Sequence, residues 1–346
     1  MNKHHGYFAV LAILFGCLAL PAQPVQETES GDKTLTVYAS NSFCGEWGAG
    51  PALAKEFQKK TGCTVNLVSS GDTGEMLTKL VSEQNKPKAD VVVGIPYSMA
   101  EKAYQADLLS TYDSPALSAI PTFLQFDRAH RLLPYDYGNF AFVYDTEKLG
   151  QDMIPHSLND LTDPKYKGKV ILIDPRTSSV GQGLLLWTIE VYGEEHFMDW
   201  WLAMKKNALT IADGWSSAYG LFTSGEAPLV ISYTTSPVYH VAYEHTTRYQ
   251  TLLFPEGHDT TIEGVGILKT SRHQELAKQF VDYMLTDGQR DIAMTNSMYP
   301  ANASVALPEA FTYAPKPQKD LTIPPQSIEK KMDTWLTLWE QGMRSK

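Results

Sequence analysis

Apolar positions along the chain switch between a two-residue period and a helical one, and the switches come in the order strand, turn, helix. Thr34 to Ala39 alternates as a strand, and Gly48-Ala49-Gly50-Pro51 opens a helix with proline in its first turn and Leu53 and Phe57 on one face. Val65 to Val68 reads as a second strand, the segment around Met76, Leu77, Leu80 and Val81 as a second helix, and Ala89 to Gly94 as a third strand. Because that third strand is almost continuously apolar, it is expected inside a parallel sheet, where both faces are covered.

Tyr135 to Tyr144, with Gly138 followed by alternating apolar residues, reads as a strand that carries the chain out of this first unit. Lys169 to Asp174 is then a strand, Gly181 to Trp187 the start of a helix behind Thr177-Ser178-Ser179, and Leu229 to Ile231 a short buried strand ending at Ser232-Tyr233. Glu263 to Ile267 is the expected return crossing, followed by a helix from Gln274 to Leu285 in the first unit. The pattern predicts an α/β chain of two lobes with a cleft between them. Residues 34–136 form lobe one, 137–263 form lobe two, and 264–346 return to lobe one and add a C-terminal helix. Two crossings, near Gly138 and Gly264, make a hinge, since hinges are a few residues that absorb backbone change. In the last helix Met332, Trp335, Leu336, Trp339 and Met343 recur at helical spacing opposite Lys331, Asp333 and Glu340, a stripe suited to packing on a lobe.

Composition narrows the class. A chain of 346 residues exceeds one small core, and domains typically hold about 50 to 200 residues. A net charge of −10 with no basic stripe excludes nucleic acid as a partner class. At the N-terminus, Lys3, His4 and His5 precede an apolar run from Tyr7 to Leu14 that is too short to span a bilayer, so residues 1–16 read as a signal peptide. Leu14-Phe15-Gly16-Cys17 resembles a bacterial lipobox, which predicts a periplasmic protein anchored by a lipid on Cys17 with residues 17–33 as tether. Phe15 is bulky for that motif, and cleavage after Ala22 is the alternative. Cys44 and Cys63 bracket a predicted helix from Pro51 to Lys60 whose rise of about 1.5 Å per residue keeps its ends roughly 15 Å apart, so both are expected as free thiols.

Enzyme motifs are mostly missing: there is no Gly-x-Ser-x-Gly elbow, phosphate loop, His-Glu-x-x-His or Cys-x-x-Cys. His240 and His245, five apart, turn onto different helix faces and read as surface residues. Ligands of open α/β sheets sit outside the carboxyl ends of strands, so Tyr233, Tyr239 and Trp215 are either pocket walls or core aromatics. Asp72, in Ser70-Gly71-Asp72-Thr73-Gly74, is either a helix cap or an acid facing a ligand. The turn Asp174 to Ser179 precedes a helix, where free N–H groups with the Thr177 and Ser178 hydroxyls make either an anion site or plain capping.

Several separated stretches carry a family resemblance: Gly214-Trp215-Ser216, Ser232-Tyr233-Thr234-Thr235-Ser236-Pro237-Val238-Tyr239, Pro134-Tyr135-Asp136-Tyr137-Gly138, Asp174-Pro175-Arg176-Thr177-Ser178 and Met298-Tyr299-Pro300. Through them the chain from about Leu35 to about Ala310 resembles the bacterial thiamine-binding proteins that serve ABC importers. The resemblance implies a periplasmic-binding-protein-like fold of type 2, and a monomer that captures thiamine or thiamine mono- or diphosphate. It further implies delivery to an ABC permease, with no cofactor and no chemistry. It implies that Trp215, Tyr233 and Tyr239 enclose the vitamin, that Asp72 meets its cation or amino group, and that Ser178 contacts phosphate. Trp47 and Thr73 complete the candidate ligand-binding set. The chain departs from the family at Ser40 and Ser297, where a Tyr and a Trp are familiar, so two first-lobe aromatic walls are expected to be missing. The alternatives are a ferric-ion or small-oxyanion binding protein and, from another class, a thiamine-phosphate hydrolase.

Overall fold

The computed structural model describes residues 33–345; the signal peptide, Cys17 and all of the tether but Lys33 lie outside the described residues. Its main strands are β1 (Thr34–Ala39), β2 (Thr64–Ser69), β3 (Val91–Pro96), β4 (Leu133–Asp145), β5 (Val170–Ile173), β6 (Ala208–Ala212), β7 (Leu229–Tyr233), β8 (Tyr249–Thr251) and β9 (His258–Ile267). They run in the order β2-β1-β3-β9-β4-β7-β5-β6, with β8 on the side of β4.

β4 ties the molecule together. Its residues from Leu133 to Asn139 pair antiparallel with β9, and those from Phe140 to Tyr144 pair antiparallel with β7. One strand therefore serves two half-sheets, and the lobes meet along it. The expected parallel surroundings of β3 hold on one side only. It runs parallel to β1 but antiparallel to β9, because β9 comes back from the second lobe and enters against it.

Each lobe has its own core. Leu53, Phe57, Phe280 and Val281 cover one face of the first half-sheet, and Met76, Leu77 and Leu80 the other. The helix that carries Leu53 and Phe57 runs Ala49–Thr61 and stops at Gly62 in the left-handed conformation (φ 70) that glycine adopts without a steric penalty. Cys44 and Cys63 at its flanks are free thiols, as its length requires. In the second lobe Trp187, Trp201, Phe197 and Phe222 pack with β5 and β7. The C-terminal helix, Pro325–Arg344, joins this core and not that of the first lobe, to which the preceding chain had returned. Asp320–Leu321 pairs with the start of β9, and Trp339 then meets Trp201 edge to face at 5.6 Å. Such a ring pair adds about 0.5–1.5 kcal/mol beyond its buried area.

Candidate functional site

A cavity of about 310 Å³ lies between the lobes, a size suited to a small organic solute. Ser40, Ser42, Trp47, Asp72 and Thr73 line it from the first lobe, Ser179, Trp215, Tyr219, Tyr233 and Tyr239 from the second, and Tyr135, Glu263 and Ser297 from the hinge side. Ser40 follows β1 and Tyr233 ends β7, so the cavity sits at carboxyl ends of strands as expected.

The second-lobe side is a ladder of rings. Trp215 opens the helix Trp215–Thr223, and Tyr219, four residues on, lies on the same face. Their rings stack at 4.8 Å and 18°, and Tyr219 continues onto His240 at 5.8 Å and 23°. The Trp215 indole N–H donates to Ser232 Oγ at 2.8 Å, which fixes the ring plane. Trp47 leans on the same indole from the first lobe at 5.5 Å. Tyr233 stacks on Phe140 at 5.2 Å, and burial together with the charges of Glu263, Asp72 and Asp136 raises its pKa well above that of an ordinary phenol. Tyr233 therefore stays a neutral hydroxyl.

His240 corrects the surface reading, since only 2% of it is exposed and it lines the cavity. The chain after Pro237 keeps a helical course through Glu244, which turns residue 240 inward. His245, at φ 54, is the exposed end. Nδ1 of His240 shares a 2.6 Å hydrogen bond with Glu244 Oε2. A carboxylate accepts, so Nδ1 donates and Nε2 is left to accept from the Tyr219 hydroxyl at 2.9 Å. Burial lowers the His240 pKa against the pull of Glu244, which keeps the ring neutral.

On the acidic side, Asp72 caps a helix and also lines the cavity. It caps the helix Thr73–Ser82: Oδ1 accepts from Thr73 N–H at 2.6 Å, and its own N–H donates to Glu75 at 3.1 Å in a capping box. Oδ2 reaches across the cleft to accept from Trp215 N–H at 2.9 Å. Desolvation raises the Asp72 pKa, opposed by the N–H groups of Trp215 and Thr73, the Ser178 hydroxyl and the Ser179 N–H. Ser178 lies behind this contact. It is fully buried, lies off the cavity, and accepts from Val180 N–H at 3.2 Å as the cap of the helix Ser179–Tyr192. Its hydroxyl also faces Asp72, and its neighbour Ser179 lines the cavity.

Asp136 and Glu263 stand side by side on β4 and β9. Glu263 lines the cavity and accepts from the Tyr135 hydroxyl at 2.6 Å; Asp136 accepts from Asn296 at 2.9 Å and keeps one buried oxygen without a partner among the described residues. Burial raises both carboxyls, with the charge of Glu263 adding to Asp136 and that of Asp72 adding to Glu263. Ser40 caps a short helix by accepting from Phe43 N–H at 3.3 Å, while Ser297 presents a buried hydroxyl without a partner among the described residues. With no ring at either position, Trp47 is the first-lobe indole on the cavity. Among the described residues three carboxylates, Asp72, Glu244 and Glu263, line the space, and no Lys or Arg does.

Sequence reading missed Tyr219, His240, Glu244 and Glu263. Tyr219 was legible four residues after Trp215, and Glu244 four after His240, both at the spacing that puts residues on one helix face. Glu263 carried a weaker signal, its place beside the hinge glycine Gly264.

Residues 52–319 match the model of the bacterial extracellular solute-binding protein family. The thiamine-binding periplasmic protein of Brucella suis biovar 1 is 41% identical over 310 residues, covering 88% of this chain and 91% of that protein. Its counterpart in Salmonella typhimurium is 39% identical over 312 residues, 89% of this chain and 93% of that one. A solved periplasmic thiamin binding protein superposes with a TM-score of 0.84 at 36% identity, covering 90% of this chain and 96% of its own. The chain therefore belongs to the bacterial extracellular solute-binding proteins, in the group that holds the thiamine-binding periplasmic proteins.

Proposed function

We propose that this protein captures thiamine, or its mono- or diphosphate ester, in the interlobe cavity and delivers it to an ABC permease. In this reading it acts as a periplasmic monomer anchored through Cys17. It is a solute-binding protein, not an enzyme. One observation carries the choice of solute: a ladder of stacked rings shares the cavity with three carboxylates, and among the described residues no Lys or Arg lines it. Thiamine and its esters share two flat rings and a thiazolium cation, and a desolvated cation over an aromatic face gains up to about 2 kcal/mol. Trp215, Tyr233 and Tyr239 supply ring surface, Asp72 and Glu263 supply charge, and the unpartnered Ser297 hydroxyl supplies a hydrogen bond for a ring edge. The ferric-ion alternative has no supporting observation in this site.

Mass spectrometry of solute released from the purified protein, with calorimetric titration of thiamine and both esters, tests the reading. Thiamine or an ester should co-purify and rebind one to one. A different solute, with no heat on adding any of the three, would sink it.

A further inference from the structure

Outside the cavity, the lobes also touch through main chain. Gly74, in the first turn of the helix Thr73–Ser82, donates its N–H to the Thr177 carbonyl at 3.0 Å. The approach is close enough that a Cβ on residue 74 would lie 2.6 Å from the Thr177 oxygen, 2.9 Å from its carbonyl carbon and 3.1 Å from the Arg176 oxygen. All three are backbone atoms, so no side-chain rotation relieves the overlap.

The opposing turn is also held from behind. The Thr177 hydroxyl donates to the Asp213 carbonyl at 2.6 Å, and Ser178 N–H donates to the Asp174 carbonyl at 3.1 Å. The Arg176 guanidinium is gripped by Asp174 at 2.6 Å and by Glu340 of the C-terminal helix at 2.6 Å. Retreat of the turn would break these together. Nothing in the first lobe itself asks for glycine: the φ of Gly74 is not in the left-handed region, and in a helix alanine is the better former. The need for glycine arises only when the lobes meet.

We infer that Gly74 is a positioning residue for ligand binding. Its bare Cα and its N–H let the lobes dock, and it sets affinity through closure without touching the solute. The inference takes its probe, thiamine, from the proposed function. Apparent affinity falls in proportion to the fraction of protein that can reach the binding-competent state.

The test is Gly74→Ala in the full exported chain. The ligand-free variant should melt at or above the parent temperature, because alanine favours the helix. Its affinity for thiamine should fall by at least about tenfold, as its closed fraction falls. Small-angle scattering should show the parent contracting with saturating thiamine and the variant contracting less or not at all. In the parent, the Gly74 amide should exchange more slowly with solvent when thiamine is bound, a measurement that needs no variant to fold. A Gly74→Ala protein that binds and contracts like the parent, or a Gly74 amide indifferent to ligand, would overturn the inference and leave the thiamine reading standing. A parent that neither binds nor contracts would overturn both.

Discussion

The two walls of the cleft differ in when they come into being. Trp215, Tyr219 and His240 are fixed by partners within their own lobe: Ser232 holds the indole, and Glu244 sets the imidazole that receives the Tyr219 hydroxyl. The aromatic wall therefore exists before any solute arrives. The opposite wall is incomplete by itself. Asp72 fills one oxygen with its own helix, and its second oxygen waits for Trp215 N–H from across the cleft. A preformed surface can receive rings at no ordering cost, while a carboxylate whose last partner comes with closure ties charge recognition to lobe movement.

If that division holds, the strongest effect belongs to the ready-made wall. Trp215→Ala removes ring stacking and cation–π contact, together worth about 2–3 kcal/mol, so thiamine affinity by calorimetry should drop about 30- to 160-fold. Tyr233→Phe and Tyr239→Phe keep the ring face and should lose only a few-fold, because a neutral hydroxyl hydrogen bond nets about 1 kcal/mol. Parent-like binding by Trp215→Ala would place the solute elsewhere.

Asp72→Asn probes the wall made on closure. Asparagine caps helices about as well as aspartate, so the ligand-free melting temperature should barely move. Its single acceptor oxygen cannot serve both Thr73 and Trp215, and the charge is gone, so affinity should fall about tenfold. Affinity within twofold of the parent would remove Asp72 from recognition.

Acidification gives the mildest test. Burial raises the carboxyls of Glu263 and Asp72, so they take up protons earlier on acidification than ordinary carboxylates and cease to attract a cation. Proton linkage then predicts that affinity falls on acidification, starting above the ordinary carboxylate range. Stability divides by sign. His240, lowered by burial, contributes above the ordinary imidazole range and loses that contribution as pH falls. The raised carboxyls stabilise at low pH and lose that contribution as pH rises through their folded values, so ligand-free melting should vary less than affinity. An affinity that rises on acidification would contradict the acidic wall.

Much of this was legible in the chain. Periodicity alone placed β1 and the helix Gln274–Leu285 with the bounds observed. Partners distant in sequence were less visible. The apolar run of β3 announces burial on both faces but not the direction of its neighbour, and the stripe on the C-terminal helix announces packing but not which lobe receives it. In the site, aromatic residues stood out through the family motifs. At Ser178 a capping hydroxyl and an anion ligand look alike in sequence, and the structure shows the cap. His240 misled because the five-residue spacing parts it from His245 without saying which of the two faces inward.

The position of β9 has a consequence for the order in which the protein takes shape. Val91 of β3 has its partner in Ile267, so the first lobe keeps an open sheet edge until nearly all of the chain is available, whereas the second lobe closes most of its core from one continuous stretch. Contacts between distant segments are slow to form. Refolding should therefore bury Trp187, Trp200 and Trp201 first, and pulsed hydrogen exchange should protect β5 and β7 ahead of β3. The half that bears the charged wall would then be the last to become native, on a scaffold whose aromatic wall is already set.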